Sequence, residues 1–206
     1  SQNFSQFFFY CKINIYVITY IFHIYFFSKM EKKKKNHFSM SIAPFISYEY
    51  DITNFKKNKV IGSGGYGTIY EISDIKTGEK FALKTIIYSN DEDEEVKKIR
   101  NREVEIQTQI YHPAINKALG YCKKDFKGND GISIIMELKA NSLDKILNKI
   151  RLGNCPQNYD NNARQQIMYG VAHALKFLHD RFIVHRDLKP ANVLLDQNNR
   201  PYLSDF

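Results

Sequence analysis

Hydrophobic and polar residues alternate over several short stretches that begin after residue 48. Alternation with a period of two is typical of strands that are buried on one face. Residues 68–72 and 80–87 show the pattern, and short stretches at 59–62, 118–122 and 132–138 predict three further strands. The strands at 59–62 and 68–72 lie on either side of a glycine-rich turn, so this half of the chain is predicted to form a β-sheet.

Apolar residues recur at helical spacing between and after these strands. An acidic run opens a predicted helix at 91–110, which ends before Pro113, and Ser142 can cap a shorter helix at 143–150. Residues 162–179 predict a long amphipathic helix, because the apolar period is near 3.6 at Ile167, Val171, Leu175 and Leu178. A small hairpin is predicted from 193–195 and 201–203. The fold class indicated is α+β.

The first 47 residues differ from the rest. Residues 7–27 are almost wholly apolar and have about the length of a membrane span. The lysine run at 32–35 would then hold the following domain in the cytoplasm by the positive-inside rule. The alternative, which we favour, is translated non-coding sequence, because the chain begins without Met and its first Met is Met30. A membrane role is expected only if 7–27 is a genuine span.

The N-terminal region and the rest of the chain also differ in net charge. The 206 residues carry a formal net charge of +8, but residues 1–60 hold nine lysines and only three acidic residues. The remaining residues are nearly balanced, which argues against a nucleic-acid-binding body. The three cysteines, Cys11, Cys122 and Cys155, have no metal-ligand spacing and are typical of a reducing compartment such as the cytoplasm.

A glycine-rich segment, Gly62-Ser63-Gly64-Gly65-Tyr66-Gly67, connects the first two predicted strands. Glycines at this spacing let backbone amides approach phosphate groups, although a plain hairpin turn is an open alternative. A strand follows the segment, and this disfavours a dinucleotide-binding fold, which needs a helix there. A phosphate-loop NTPase is excluded because no Gly-Lys-Ser/Thr follows.

Two charged residues further along fit a nucleotide site. Lys84 ends an apolar stretch of the third strand, where its ammonium group can neutralise phosphates. It would need a carboxylate to hold it, and Glu103 lies on the helix that follows. Each residue alone would be interpreted as a solvated surface residue.

The strongest chemical signal is the segment His185-Arg186-Asp187-Leu188-Lys189-Pro190-Ala191-Asn192, followed by Asp205-Phe206. Asp187 can orient a substrate hydroxyl and accept its proton, while Lys189 can balance charge on a transferring phosphate. Asn192 and Asp205 are hard oxygen ligands suited to Mg²⁺. The set is what metal-assisted phosphoryl transfer requires.

In this order the motifs resemble those of the eukaryotic protein kinase family, over about residues 55–206. The resemblance implies a two-lobed fold with a complete β-rich N-lobe at 48–138 and a truncated helical C-lobe at 139–206. It implies ATP and Mg²⁺ as cofactors and a protein substrate with a Ser/Thr acceptor, since Lys189 is typical of Ser/Thr kinases. Some phrases are similar to the tyrosine-kinase-like group.

The resemblance also assigns site residues. Lys84 would pair with Glu103, which stands nine residues before His112, and Asp187 and Lys189 would complete the catalytic set. Met136 would be the gatekeeper, and His185 and Phe206 would belong to the packed spine. The ATP-binding residues would be Ile61, Gly62, Ser63, Gly64, Gly65, Tyr66, Gly67, Ile69, Ala82, Lys84, Met136, Glu137, Leu138, Lys139 and Leu194, with Asn192 and Asp205 as metal ligands.

Three features depart from the family pattern. Gln107 occupies a position that is usually apolar, and the segment leading to Ser142, a candidate ribose contact, is short. The activation segment that would follow Phe206 is missing from the sequence. A protein kinase is therefore the leading hypothesis, and a pseudokinase or nucleotide-binding scaffold and an inactive truncated gene fragment are the alternatives.

Overall fold

The computed structural model describes residues 48–64, 67–86 and 93–206, without the side chains of Glu94, Val96, Lys97, Ile99, Arg100 and Glu103. The predictions for residues 1–47, Gly65, Tyr66 and Ile87 lie outside this set. The described residues form two compact units. The first, called the sheet unit, contains residues 48–111 and Lys117–Leu138. The second, called the helical unit, contains His112–Asn116 and Lys139–Phe206.

The sheet unit is built around six strands. In chain order they are β1 (Tyr48–Glu49), β2 (Phe55–Gly64), β3 (Gly67–Asp74), β4 (Lys80–Ile86), β5 (Ala118–Lys124) and β6 (Asp130–Glu137). Their order in the sheet is β1-β5-β6-β4-β3-β2, with β1 parallel to β5 and the other pairs antiparallel. A 3-10 turn at Ile52–Asn54 and helix α1 (Glu94–Gln109) complete the unit.

Each face of this sheet has its own apolar packing, as expected when side chains alternate along a strand. One face is buried with the 3-10 turn in a cluster of Ile52, Phe55, Ile72, Leu83, Cys122 and Ile135. The other face receives helix α1, whose Val104 packs with Ala118 and Ile134. The helix is therefore placed against the face that carries Lys84, because Lys84 pairs with Ile134 across the strands.

The helical unit begins with strand β7 (Asn141–Ser142) and helix α2 (Leu143–Arg151), followed by helix α3 (Asn161–Asp180). A 3-10 turn at Pro190–Asn192 leads into strands β8 (Val193–Leu195) and β9 (Pro201–Leu203), and the small sheet has the order β7-β8-β9. Ser142 and Asp160 cap the two helices by accepting hydrogen bonds from the backbone N–H groups of Lys145 and Ala163. Helix α3 packs against β9, and α2 packs against the 3-10 turn, β7 and β8.

A short segment ahead of β5 lies in the helical unit. The backbone N–H of Leu203 donates to the Ala114 carbonyl over 2.8 Å, and Asn116 N–H donates to the Leu203 carbonyl over 2.8 Å. The segment 112–116 therefore extends the β9 edge of the small sheet. Sequence reasoning used His112 only to fix the position of Glu103 and did not predict this contact.

The observed elements agree with the predicted ones, and the α+β fold class is confirmed. The additions are β1, the short strand β7 and the two 3-10 turns, all of which are too short to show a period in the sequence. Within the described ranges, no helix combines the length and apolar character needed to cross a membrane.

Candidate active site

The described glycines of the glycine-rich segment lie at the end of β2 and the start of β3. Ser63 pairs with Thr68 and Gly64 pairs with Gly67, so the two strands run to the ends of the described segment. Gly67 has φ +127°, and a Cβ atom there would lie 1.9 Å from the carbonyl oxygen of Thr85. Glycine is thus required at Gly67 by the protein's own backbone.

Gly64 differs from Gly67. A Cβ atom at Gly64 would meet nothing within 4 Å among the described atoms, and its φ is not positive. The fold therefore does not explain a glycine at this position. Close approach of a ligand to the backbone is the usual remaining reason, which agrees with the predicted phosphate role of the segment.

Strand register brings four predicted ATP-binding residues onto one face of the sheet. Ile69 in β3 pairs with Lys84 in β4, and Ala82 in β4 pairs with Met136 in β6. Paired residues share a face, and residues two apart on one strand do so as well. Ile69, Ala82, Lys84 and Met136 therefore form a contiguous group on the face that also receives helix α1.

The partner proposed for Lys84 stays a prediction. Glu103 lies in helix α1 directly before Val104, which packs onto the same face of the sheet. The side chain of Glu103 is outside the described set. The backbone places helix and lysine on one side of the sheet, as a Lys84–Glu103 pair would need.

The resemblance to protein kinases implies that Glu137, Leu138 and Lys139 form the hinge that meets adenine, and this segment begins at the end of β6. The backbone N–H of Glu137 donates to the Lys117 carbonyl over 3.1 Å, which fixes the last residue of the strand. Leu138 is half-buried, and Lys139 starts the helical unit. Ser142 is 8% exposed and its hydroxyl oxygen is used as the α2 cap, which favours the capping role over a ribose contact.

The segment 185–192 forms a hydrogen-bonded group around the Asp187 carboxylate. Oδ2 of Asp187 accepts a hydrogen bond from Nζ of Lys189 at 2.6 Å and one from Nδ2 of Asn192 at 3.1 Å. The same Asn192 amide donates to the Asp187 carbonyl at 2.8 Å. Oδ1 of Asp187 accepts no hydrogen bond from the described residues, and 39% of the side chain is exposed. One carboxylate oxygen is thus fixed and the other is available.

The electrostatics favour the ionised form of this carboxylate. The hydrogen bond from Lys189 holds the pKa of Asp187 below its ordinary value, with a smaller contribution from Asn192, while partial burial opposes the shift. Asp187 is therefore an anion at neutral pH, ready to accept a hydrogen bond from a hydroxyl group.

The amide of Asn192 has a forced orientation. Both groups that it faces on Asp187 are acceptors, so its NH₂ end must point at them and its Oδ1 points elsewhere. That Oδ1 accepts no hydrogen bond from the described part of the chain. A buried amide with a free carbonyl oxygen fits a hard cation such as Mg²⁺.

Ser204 joins Asn192 to Asp205. Its backbone N–H donates to the Asn192 carbonyl at 2.9 Å, and its hydroxyl lies 3.2 Å from the same oxygen and 3.4 Å from Oδ2 of Asp205. The two predicted metal ligands are therefore linked through one serine. Among the described residues, no group of three His, Cys, Asp or Glu side chains could hold a metal.

A family model described as the protein kinase domain matches residues 55–206. The chain belongs to this family. The resemblance drawn from the motifs is confirmed, and Asp187, Asn192 and Asp205 all lie within the matched kinase domain.

Proteins similar to this chain include fungal and plant kinases. The chain is 31% identical to an Aurora kinase of Yarrowia lipolytica over 158 aligned residues. The alignment covers 76% of this chain and 40% of the relative. The chain is 32% identical over 178 residues to an Aurora kinase of Saccharomyces cerevisiae, covering 84% and 44%. It is 29% identical over 186 residues to the probable serine/threonine-protein kinase PBL7 of Arabidopsis thaliana, covering 87% and 46%. The chain spans less than half the length of each relative, and the similar identities leave the kinase subgroup a prediction.

Two residues of the kinase-domain loop have left-handed backbone. Arg186 has φ 62° and Asp205 has φ 59°, a region that costs a non-glycine residue about 1–3 kcal/mol. They flank the group formed by Asp187, Asn192 and Ser204. Such strain persists where the surrounding contacts require it.

His185 and Phe206, the predicted spine residues, are neighbours. Their ring centroids are 6.2 Å apart, and His185 is only 4% exposed. Neither ring nitrogen of His185 has a partner in hydrogen-bond geometry among the described residues, although backbone groups of His185 and Ser204 lie nearby. Burial lowers the pKa of His185, so the ring is neutral and packs as an apolar group.

Two residues near the loop were missed by sequence reasoning. Ser204 gave no signal of its own, because a serine before Asp205 is an ordinary polar residue until its hydrogen bonds are seen. Tyr202 was interpreted only as a strand residue, yet Nζ of Lys139 lies 3.5 Å above its ring centroid. No period in the sequence could have found Ser204, which lies just after the end of β9.

Proposed function

We propose that the full-length protein is a serine/threonine protein kinase that transfers the γ-phosphate of ATP to a hydroxyl group of a protein substrate. The observation that carries the proposal is the Asp187 carboxylate, which is held on Oδ2 by Lys189 and Asn192 and left available on Oδ1. This asymmetry is what a group that orients an incoming hydroxyl needs.

The helical unit would contribute the chemistry at the acceptor. Oδ1 of Asp187 accepts a hydrogen bond from the substrate hydroxyl and takes its proton as the phosphoryl group is transferred. Lys189, already 2.6 Å from Oδ2, supplies positive charge beside the transferring phosphate. Asn192 keeps the carboxylate from rotating, so the orientation exists before the substrate arrives.

The sheet unit would contribute nucleotide binding. Lys84 neutralises ATP phosphates and Glu103 holds its ammonium group in place. The backbone of 62–67 approaches the phosphates, which the open space at Gly64 supports. Ile69, Ala82 and Leu194 contact the adenine ring, and the hinge of Glu137, Leu138 and Lys139 follows Met136 along the same edge.

Mg²⁺ would be held by Oδ1 of Asn192 and the carboxylate of Asp205. The forced orientation of the Asn192 amide and the Ser204 link between the two residues support this assignment. When bound, the ion neutralises phosphate charge and so favours transfer. The role of the protein is to present two oxygen ligands that are fixed in advance.

The acceptor class and the location are part of the proposal. Lys189, two residues after Asp187, supports Ser/Thr acceptors on a protein substrate. We infer a cytoplasmic location, supported by the free thiols of buried Cys122 and exposed Cys155, which a reducing compartment preserves.

The test is phosphate transfer from Mg²⁺-ATP to a generic basic protein by the full-length protein, with Asp187→Asn beside it. We expect transfer to Ser/Thr and a loss of at least ~10²-fold in the variant. Asp180→Asn is the matched control, because it breaks the Lys176–Asp180 ion pair in the same unit and should retain the wild-type rate.

Equal rates for wild type and Asp187→Asn would overturn the proposal. If neither protein transfers phosphate but ATP raises the melting temperature of both, the nucleotide-binding scaffold replaces the kinase as the better account.

A further inference from the structure

A cation–π pair connects Lys139, the last residue of the predicted hinge, to the last strand of the small sheet. Nζ of Lys139 lies 3.5 Å from the centroid of the Tyr202 ring. The Tyr202 hydroxyl lies 3.4 Å from Oδ2 of Asp196, so both ends of the tyrosine have contacts. A cation centred at this distance over an aromatic face is a favourable cation–π contact.

Tyr202 also stands beside a predicted adenine contact. Within the small sheet, Leu194 pairs with Ser142 on one side and with Tyr202 on the other. Cross-strand partners share a face, so the Tyr202 ring borders the Leu194 side chain. Leu194 and Tyr202 are both half-buried, and Nζ of Lys139 lies over one face of the Tyr202 ring.

We propose that Lys139 and Tyr202 are positioning residues for the adenine ring of ATP, an inference that rests on the proposed function. The cation–π contact ties the chain at Lys139 to strand β9, and β9 is tied to Leu194 through strand pairing. The pair thereby fixes the backbone at Lys139 relative to the Leu194 side chain, both within the helical unit. Neither side chain needs to touch ATP.

A purely structural contact makes different predictions. It would change the melting temperature and leave the relative affinities for nucleotides unchanged. A positioning pair acts on the base and not on the phosphates, so loss of the pair should weaken ATP binding and leave binding of inorganic triphosphate unaffected. It should also raise the KM for ATP with kcat nearly constant, because uniform binding energy is lost.

The variants separate the parts of the contact. Lys139→Met removes the cation and keeps the length of the side chain, and Tyr202→Leu removes the ring. Lys139→Arg and Tyr202→Phe keep a cation and a ring, so both should restore near wild-type behaviour. Tyr169→Leu is the matched control, because Tyr169 is 70% exposed on helix α3.

The experiment measures dissociation constants for ATP and inorganic triphosphate, then KM and kcat, on the full-length protein. We expect Lys139→Met and Tyr202→Leu each to weaken ATP binding about two- to tenfold, and the double variant to be no weaker than the worse single variant. The triphosphate constant should be unchanged throughout. Melting temperatures show which variants are folded. If Tyr202→Leu does not fold, the comparison of ATP affinity between Lys139→Met and Lys139→Arg is enough to test the proposal.

Three results would overturn the positioning role of Lys139 and Tyr202. They are an unchanged dissociation constant for ATP in the single variants, equal weakening of ATP and triphosphate binding, and single effects that multiply in the double variant. Failure of the proposed kinase function can be told apart from failure of this positioning role. If the wild type binds ATP without transferring phosphate, the kinase proposal fails and the pair is still judged by its ATP affinities. If the wild type binds no ATP, both proposals fail.

Discussion

In the sheet unit, Ile69, Ala82 and Lys84 are placed by backbone hydrogen bonds that run along three antiparallel strands. In the helical unit, Asp187 and Asn192 lie in a loop and are placed by their own side-chain hydrogen bonds, next to residues with left-handed backbone. The proposed function uses both groups. The positions of the sheet residues depend on the backbone hydrogen bonds of a whole sheet, whereas the positions of the loop residues depend on a few polar side-chain atoms.

Because of this difference, substitutions in the two regions should affect different properties of the protein, stability in one case and activity in the other. A substitution that disturbs the backbone of the sheet should unfold the sheet unit, because every strand depends on its neighbours. A substitution in the loop should change the reaction with a small effect on folding, since few buried apolar atoms are lost. The following predictions test that separation.

The largest effect is expected at Gly67. Gly67→Ala should lower the free energy of unfolding by at least about 3 kcal/mol, because the new methyl group would meet the Thr85 carbonyl at a backbone angle that favours glycine. Thermal melting of the full-length protein measures the effect. Gly64→Ala is the matched control, and its stability should change by no more than about 0.5 kcal/mol while its ATP affinity falls. Equal melting temperatures for the two variants would contradict the comparison.

A smaller effect, on the reaction only, is expected at Ser204. Ser204→Ala removes the hydroxyl that links Asn192 to Asp205 and should lower kcat about fivefold, corresponding to a net hydrogen-bond contribution of about 1 kcal/mol. Ser204→Thr keeps the hydroxyl and should recover most of the rate. Initial rates at saturating Mg²⁺ and ATP measure both, and an unchanged rate in Ser204→Ala would show that the link is dispensable.

The mildest prediction concerns pH. Burial lowers the pKa of His112, aided by the nearby positive charge of His173 and Arg181. Its Nδ1 accepts a hydrogen bond from the Ala114 backbone N–H at 3.1 Å, which requires an unprotonated nitrogen. The unfolded chain therefore binds a proton more readily than the folded chain, so stability should fall as pH drops below the ordinary histidine pKa of about 6.5.

The variant His112→Asn tests this dependence. Asparagine keeps an acceptor for the Ala114 N–H but does not titrate, so its melting temperature should fall less than that of wild type between about pH 7.5 and 5.5. The described residues of the sheet unit contain no histidine. Acid should therefore loosen the helical unit first, and identical pH profiles for the two proteins would refute the role of His112.

The sheet could be predicted from the sequence because its information is local. The strands predicted at 80–87 and 132–138 place Ala82, Lys84 and Met136 on one face once register is assumed. The helices could be predicted because their signals are local too, and Ser142 caps α2 as its sequence position indicated. Motif spacing then identified Asp187 and Asn192 without any knowledge of their contacts.

What the sequence could not supply was contact between distant polar atoms. The Ser204 link, the Lys139–Tyr202 pair and the pairing of 112–116 with Leu203 each join residues whose spacing has no period. Such contacts depend on loop conformation, including the left-handed backbone at Arg186 and Asp205, and no hydrophobic pattern encodes it.

The central claim is that the two differently held groups serve one reaction. The most direct test measures phosphate transfer by the full-length protein carrying Lys84→Met, Asp187→Asn or both, with Lys80→Met as a control on the same strand. We predict losses of at least ~10²-fold for each single variant and no greater loss in the double variant than in the worse single one, because residues that act as a unit are not additive. Losses that multiply, or a wild-type rate in Lys84→Met, would contradict the account.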